Sequence, residues 1–432
     1  MPTRRSEKTR VALDRDSTSL SNAGVSLQPQ PPPCANCVNL IGAVSVGRFI
    51  FPYTIKMSSR NGLEVAAAAA ATASQLPKFA RAPSSVTVAQ LQDFDEIIDV
   101  RSEDEYAEDH VPDAVNCPVL NNDERARVGT LYKQVSAFEA KKIGAALISA
   151  NISHHLQQRF HDRPRNWRPL VYCWRGGSRS GAMAHILQQV GWRVGQLDGG
   201  YRAYRRQVIA DLIEWPRRFE WRAVCGLTGS GKSRLLRALR DSGKQVLDLE
   251  ELAAHRGSVL GNVPDTPQPS QKMFDSLVWD ALRRLSNDKP VYVEAESRKI
   301  GALRVPDALI AAMWQAPCVV VEAPMPLRVA LLKSEYEHFM ADPDDIVAKL
   351  KCLSGLYGHD VIERWRRLAY AGHWDELTED LLIRHYDPAY TRSTLKHYSR
   401  LAEAVRVVPD GTDDAAFARL AQRCPASDAG ER

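Results

Sequence analysis

Trp221-Arg-Ala-Val-Cys-Gly-Leu-Thr-Gly-Ser-Gly-Lys-Ser233 holds an apolar run, a glycine-rich turn and the start of a helix in direct succession. Trp221–Cys225 reads as a buried strand, and Gly226-Leu-Thr-Gly-Ser-Gly-Lys-Ser233 fits the spacing G-x4-G-K-[ST]. The helix predicted over Ser233–Asp241 has Leu235, Leu236 and Leu239 on one face and stops at Gly243. Backbone N–H groups of such a loop, together with a helix N-terminus, converge on an anion. The candidate diphosphate contacts are therefore Gly226, Thr228, Gly229, Ser230, Gly231, Lys232 and Ser233. The spacing does not say which phosphate compound binds. Acids at or just past strand ends are Asp248, Glu250, Glu294 and Glu296; a Mg²⁺ ion is expected on Ser233 with Glu294 or Glu296, which follow the strand Val291–Val293.

A second strand–loop–helix unit lies upstream. Pro169-Leu-Val-Tyr-Cys173 is a buried strand, Cys173-Trp-Arg-Gly-Gly-Ser-Arg179 is a Cys-x5-Arg loop, and Ser180–Val190 is a helix. Loop amides and the helix N-terminus favour negative charge at one point, which suits a thiolate or a bound anion. Gly176 and Gly177 permit the curl, and Arg175 and Arg179 add donors for an anion. The bland alternative is a structural cysteine, which this context disfavours.

Charge is uneven along the chain. The net charge is +5, yet residues 159–222 hold 13 arginines, no lysine and 5 acids. A basic stretch in a near-neutral protein suggests a polyanionic partner, with a solvated arginine-rich surface as the plainer alternative. Arg202, Arg205 and Arg206, with Tyr201 and Tyr204 beside them, are the candidate nucleic-acid contacts, the tyrosines as stacking surfaces. No apolar run approaches the ~20 residues of a membrane span. Eight cysteines in 432 residues are too sparse for a disulfide scaffold, so reduced thiols and a cytoplasmic location are expected.

The domain reading follows. Residues 1–85 form a disordered or low-complexity extension, with Gln28-Pro-Gln-Pro-Pro-Pro33 and an alanine run at 66–71; Met57 is an alternative start, and Cys34-Ala-Asn-Cys37 is incidental. An α/β domain over 86–213, a linker at 214–220, a second α/β domain with a helical C-terminal part over 221–410, and a loose tail at 411–432 complete the chain.

Asp99-Val-Arg101, Glu105, His110-Val-Pro-Asp-Ala114, the Cys173 loop and Gly199-Gly-Tyr201 resemble a rhodanese domain. Rhodanese-like and P-loop NTPase-like domains in one chain, with Asn121-Asn-Asp-Glu-Arg125, Val128–Gln134, Asp248-Leu-Glu250, His255-Arg-Gly-Ser258, Gln268-Pro-Ser-Gln271, Glu294–Arg298 and Tyr386-Asp-Pro-Ala-Tyr390, resemble the bacterial tRNA 2-selenouridine synthases over about Ile97 to Tyr390. The resemblance implies conversion of wobble 2-thiouridine, in the tRNA anticodon, to 2-selenouridine. The sulfur is geranylated from geranyl diphosphate, and selenium from selenophosphate then replaces the S-geranyl group. It gives Cys173 the catalytic role, places selenophosphate at Arg175, Gly176, Gly177 and Arg179, puts the diphosphate on Lys232, and implies no organic cofactor and no membrane partner. The alternatives are a P-loop kinase or GTPase whose rhodanese domain senses redox state or transfers sulfur, and a non-catalytic tRNA-binding protein, disfavoured by intact Cys173 and Lys232.

Overall fold

The structure is a computed structural model that describes the backbone of 38–46 and 49–57 and, in full, residues 83–258 and 260–425. The chain divides into two units, 1–78 and 79–432. In the first, Val38–Val46 and Phe49–Met57 pair as an antiparallel hairpin. This differs from the low-complexity extension expected up to residue 85. Both stretches are rich in β-branched and aromatic residues, which favour strands. The rest of that expectation, Cys34 and Cys37 included, lies outside the described residues.

The second unit contains two parallel five-stranded sheets. The first runs Ser84–Val86, Gly195–Leu197, Pro169–Tyr172, Glu96–Asp99, Val115–Asn116, so the domain begins just ahead of the expected residue 86. Strand alternation sorts its core. Val171 and Cys173 face the helix Ser178–Val190, with Met183, Ala184 and Leu187. Leu170 and Tyr172 face the other way, toward Tyr201 and Tyr204 of the helix Gly200–Glu214.

The second sheet runs Val405–Val407, Cys318–Val321, Trp221–Cys225, Val291–Glu294, Gln245–Leu247. Trp221–Cys225 is central, and the strands on either side of it come later in the chain. Ligands of open parallel sheets bind beyond the strand C-termini at such a crossover, and the phosphate loop leaves from this strand. The helices Met325–Glu335, Pro343–Leu350, Ser354–Tyr370, Trp374–Leu381 and Asp387–His397 build the helical part, with its own core around Phe339, Trp365 and Leu377.

Two boundaries are corrected. The expected linker 214–220 is packed: Trp215–Arg218 forms a short 3₁₀ turn, Pro216 is buried, and Trp215 stacks on Trp279 at 5.9 Å. Trp279 also donates to Asp211 at 2.8 Å and meets Tyr204 edge-on, so one apolar core runs from the first lobe into the second. The tail expected to be loose from 411 forms the helix Asp414–Gln422, capped by Asp413. Phe417, Leu420 and Ala421, at helical spacing, bury against Leu235, Leu236 and Leu239. Burial of this kind stabilises by about 1.5–3 kcal/mol per large side chain. The polar residues around that short apolar stripe concealed it.

Candidate active site

The cysteine loop is built from the strand end upward. Cys173 is buried, and its Sγ accepts a hydrogen bond from Ser180 Oγ at 3.2 Å. Gln196 fixes the loop from below, donating to Gly176 O at 2.7 Å and to Ser180 Oγ at 3.0 Å. The following turn returns to the loop, with Tyr201 N–H on Cys173 O at 2.8 Å and Arg202 N–H on Trp174 O at 3.2 Å. A Cβ at Gly200 would strike Cys173 O and Gly176 N, so only glycine allows this approach.

The loop arginines differ. Arg175 is exposed, whereas Arg179 is held by Glu105 through contacts of 2.7 and 3.4 Å, with Arg125 3.7 Å from the same carboxylate. Arg179, expected from sequence to serve an anion, is instead occupied by Glu105 and steadies the loop. Beneath it, buried Asp99 and Arg101 pair at 2.6 Å, and Arg101 also donates to Asp109 O. Asp109 receives Tyr201 Oη and, from the second lobe, Ser276 Oγ, each at 2.7 Å.

The expected tRNA contacts separate in the same way. Arg202 and Arg206 are exposed, but Arg205 donates to Asp275 at 2.5 Å and to Lys272 O at 3.0 Å. Tyr201 and Tyr204 are buried and cannot stack on a nucleobase. Their rings fill the core between the lobes, where apolar burial outweighs any use on the surface.

The phosphate loop curls as expected. Gly231 has φ +88° and a Cβ there would enter the Phe417 ring, so the C-terminal helix forms the wall behind the loop. Lys232 Nζ donates to Gly226 O at 2.9 Å and lies 5.1 Å from the Tyr390 ring centroid. Gly226 N–H donates to Tyr390 Oη at 2.8 Å. Arg328, itself buried, donates to Thr228 O at 2.9 Å and pairs with both oxygens of Asp387 at 3.0 and 2.5 Å. The segment Tyr386–Tyr390 therefore fixes a loop some way off in sequence, a role that the motif's spelling did not disclose.

Glu250 and Glu296 sit beside Lys232, with Asp248 and Glu294 next to them. Glu250 accepts from Ser233 Oγ at 2.9 Å, and Glu294 accepts from Glu250 N–H at 2.6 Å. Burial raises Glu250, Asp248 and Glu294 above the usual carboxylate range, and for Glu294 repulsion from Asp248, Glu250 and Glu296 adds to it. Burial, with the Glu250 charge, pushes Glu296 up to about 8. Glu250, rather than Glu294 or Glu296, is the acid on Ser233. Buried Glu294 Oε2 has no partner. Among the described residues no three His, Cys, Asp or Glu side chains converge on a metal-sized site.

An apolar cleft opens beside this loop. Thr228 belongs to its wall, and Leu332, Tyr336, Phe339, Leu377 and Leu381 from the helical part supply most of the rest. Sequence reasoning missed the cleft because its walls come from helices brought together only by folding. No helix of the described residues is long and apolar enough to cross a membrane.

Comparison with known proteins matches the two lobes separately. A rhodanese-like domain model covers residues 85–207, and a model described as the tRNA 2-selenouridine synthase AAA domain covers 219–348. The proteins named tRNA 2-selenouridine synthase from Nitrosomonas europaea and Bdellovibrio bacteriovorus are 35% and 36% identical, over 56% of this chain in each case. These matches span 63% and 64% of the relatives' own lengths. The protein of the same name from Aeromonas salmonicida is 31% identical over 68% of this chain and 86% of its own. With both lobes matched in order and most of that relative covered, the chain belongs to the tRNA 2-selenouridine synthase family.

Proposed function

We propose that this protein modifies tRNA, converting wobble 2-thiouridine to 2-selenouridine by geranylation of the sulfur and its replacement by selenium. The observation that carries the reading is the apolar cleft sharing Thr228 with the phosphate loop. A ligand spanning both must be an anion with an apolar tail, as geranyl diphosphate is. A kinase or GTPase reads its base with polar groups, whereas this cleft, although Ser258, Lys333 and Thr378 line it, is walled mainly by Leu332, Phe339, Leu377 and Leu381.

In the first step the thiouridine sulfur attacks C1 of the geranyl chain. The C–O bond breaks, its electron pair leaves with the diphosphate, and the base loses its N3 proton to solvent. Lys232 and the loop amides would meet the charge that gathers on the diphosphate. Lys232 must leave Gly226 O to do so, which a flexible side chain allows.

The residues here fit a Mg²⁺ ion completed by phosphate oxygens, since Ser233 Oγ and Glu250 Oε2 adjoin and buried Glu294 Oε2 is unpartnered. Bound there, the ion would further neutralise the leaving group.

In the second step selenium from selenophosphate takes the place of the S-geranyl group, which leaves as the thiol, and phosphate is released after water attacks phosphorus. The Cys173 loop would serve this step: its Sγ has one donor, Ser180, and exposed Arg175 stands at the loop. Exposed Arg202 and Arg206 are suited to tRNA phosphates. Arg165, Arg193, Arg217 and Arg218 are exposed as well and extend the basic surface.

The test is mass spectrometry of tRNA nucleosides from a strain lacking this gene, grown with selenite and complemented by it. We expect 2-selenouridine only with the intact gene. Its formation in the deletion strain, or its absence on complementation, would reject the proposal.

A further inference from the structure

The loop after the short helix Leu249–Leu252 carries an arginine with no assigned role. The loop is closed on itself. Arg256 N–H bonds to Gly261 O at 2.8 Å, Gly261 N–H to Ser258 O at 2.9 Å, and His255 bridges Asn262. One flank, Gly257, packs against the carboxylates: a Cβ there would fall 2.5 Å from Glu250 Oε1 and 2.8 Å from Glu296 Oε1. Glu250 in turn holds Ser233 of the phosphate loop. The other flank, Ser258 with Leu260, belongs to the wall of the apolar cleft, together with Thr228.

Arg256 directly precedes these flanks. Its guanidinium sits 4.8 Å from the ring centroid of Tyr336, another wall residue of the cleft. One nitrogen, Nη1, is buried and has no hydrogen-bond partner. No Asp or Glu among the described residues forms an ion pair with it, although most half-buried arginines here have one. A buried guanidinium N–H left without an acceptor costs roughly 1–3 kcal/mol, and here no carboxylate offsets the charge beside it.

Resting on the function proposed above, we propose that Arg256 is a second cationic anchor for the diphosphate end of the apolar-tailed ligand, acting with Lys232. Its planar fork can engage two phosphate oxygens in a fixed bidentate geometry, which the ammonium of Lys232 does not offer. Stacking on Tyr336 holds the fork at the cleft without consuming a donor.

The experiment is calorimetric titration of the full chain with geranyl diphosphate, inorganic diphosphate, geraniol and tRNA, for wild type, Arg256→Ala, Arg256→Lys and Lys232→Ala, with Tm as a check on folding. Arg256→Ala should weaken both diphosphates about 10- to 100-fold and leave geraniol unchanged, with Arg256→Lys recovering part of the loss. Wild-type diphosphate binding by Arg256→Ala overturns the assignment. If Lys232→Ala still weakens binding, the function stands without Arg256; if neither variant does, the diphosphate site itself is wrong. Equal loss of geraniol and geranyl diphosphate would make Arg256 a wall residue only. Unchanged diphosphate binding with weakened tRNA binding would make it an RNA contact, also against the proposal. Should Arg256→Ala fail to fold, Arg256→Lys against Arg256→Gln on inorganic diphosphate gives the same decision, the charge-retaining variant binding more tightly if the proposal holds.

Discussion

The Cys173 loop and the phosphate loop share a design and differ in what holds them. Each leaves a buried parallel strand, turns through glycines and enters a helix. The Cys173 loop is fixed within its own lobe by Ser180, Gln196, the Arg179–Glu105 pair and the returning turn at Gly200. The phosphate loop is fixed from afar: Tyr390 on Gly226, Arg328 with Asp387 on Thr228, and Phe417 behind Gly231. The first makes a small cradle around a sulfur. The second opens into an apolar cleft whose walls arrive with the same helices that hold the loop. Geometry that serves a small anion needs only local ties. An amphipathic ligand needs a second wall, and the chain supplies it from its C-terminal third.

If that contrast is right, Asp387→Ala should act on one loop and not the other. It leaves Arg328 buried without its carboxylate, which costs about 3 kcal/mol in urea unfolding. Geranyl diphosphate affinity should fall about tenfold or more as Thr228 loosens. Alkylation of Cys173 by iodoacetamide should keep its wild-type rate; a matching change there would erase the distinction.

A smaller effect concerns the cluster of buried carboxylates beside the phosphate loop. The Glu296 carboxyl, at an ordinary 4.5 when unfolded, is pushed up to about 8 in the fold. The folded state binds that proton more tightly. The stability it brings is complete below pH 4.5 and is lost as pH rises through about 8. Glu296→Gln cannot ionise, so its Tm should equal wild type near pH 5 and exceed it by a few degrees near pH 8. Parallel profiles would show that Glu296 titrates normally.

The same contrast explains what was legible in the sequence. The strand Trp221–Cys225 was readable to the residue, because buried parallel strands are short apolar runs bounded by turn residues. Both loops were readable because glycine spacing and a nucleophile or lysine are local features. The strand Val405–Val407, which adds to the sheet edge, and the helix Asp414–Gln422 were not, since each is short and takes its order from tertiary partners. Tyr201, Tyr204 and Arg205 looked like an RNA surface because aromatic and basic residues alternate there. Only the packing of Trp279 and the position of Asp275 reveal an interface between lobes. Ser180 and Gln196, which hold the cysteine loop, carry no motif of their own.

The central claim is that the two loops perform separate steps. The direct measurement assays Cys173→Ser and Lys232→Ala in two half-reactions, followed by nucleoside mass spectrometry: geranylation of 2-thiouridine tRNA, and selenation of tRNA already geranylated. Cys173→Ser should abolish selenation and retain geranylation, since serine keeps the shape without the soft nucleophile. Lys232→Ala should lower geranylation by roughly 10²–10³-fold and affect selenation far less. Normal selenation by Cys173→Ser, or equal loss of both steps in both variants, would contradict the division of labour.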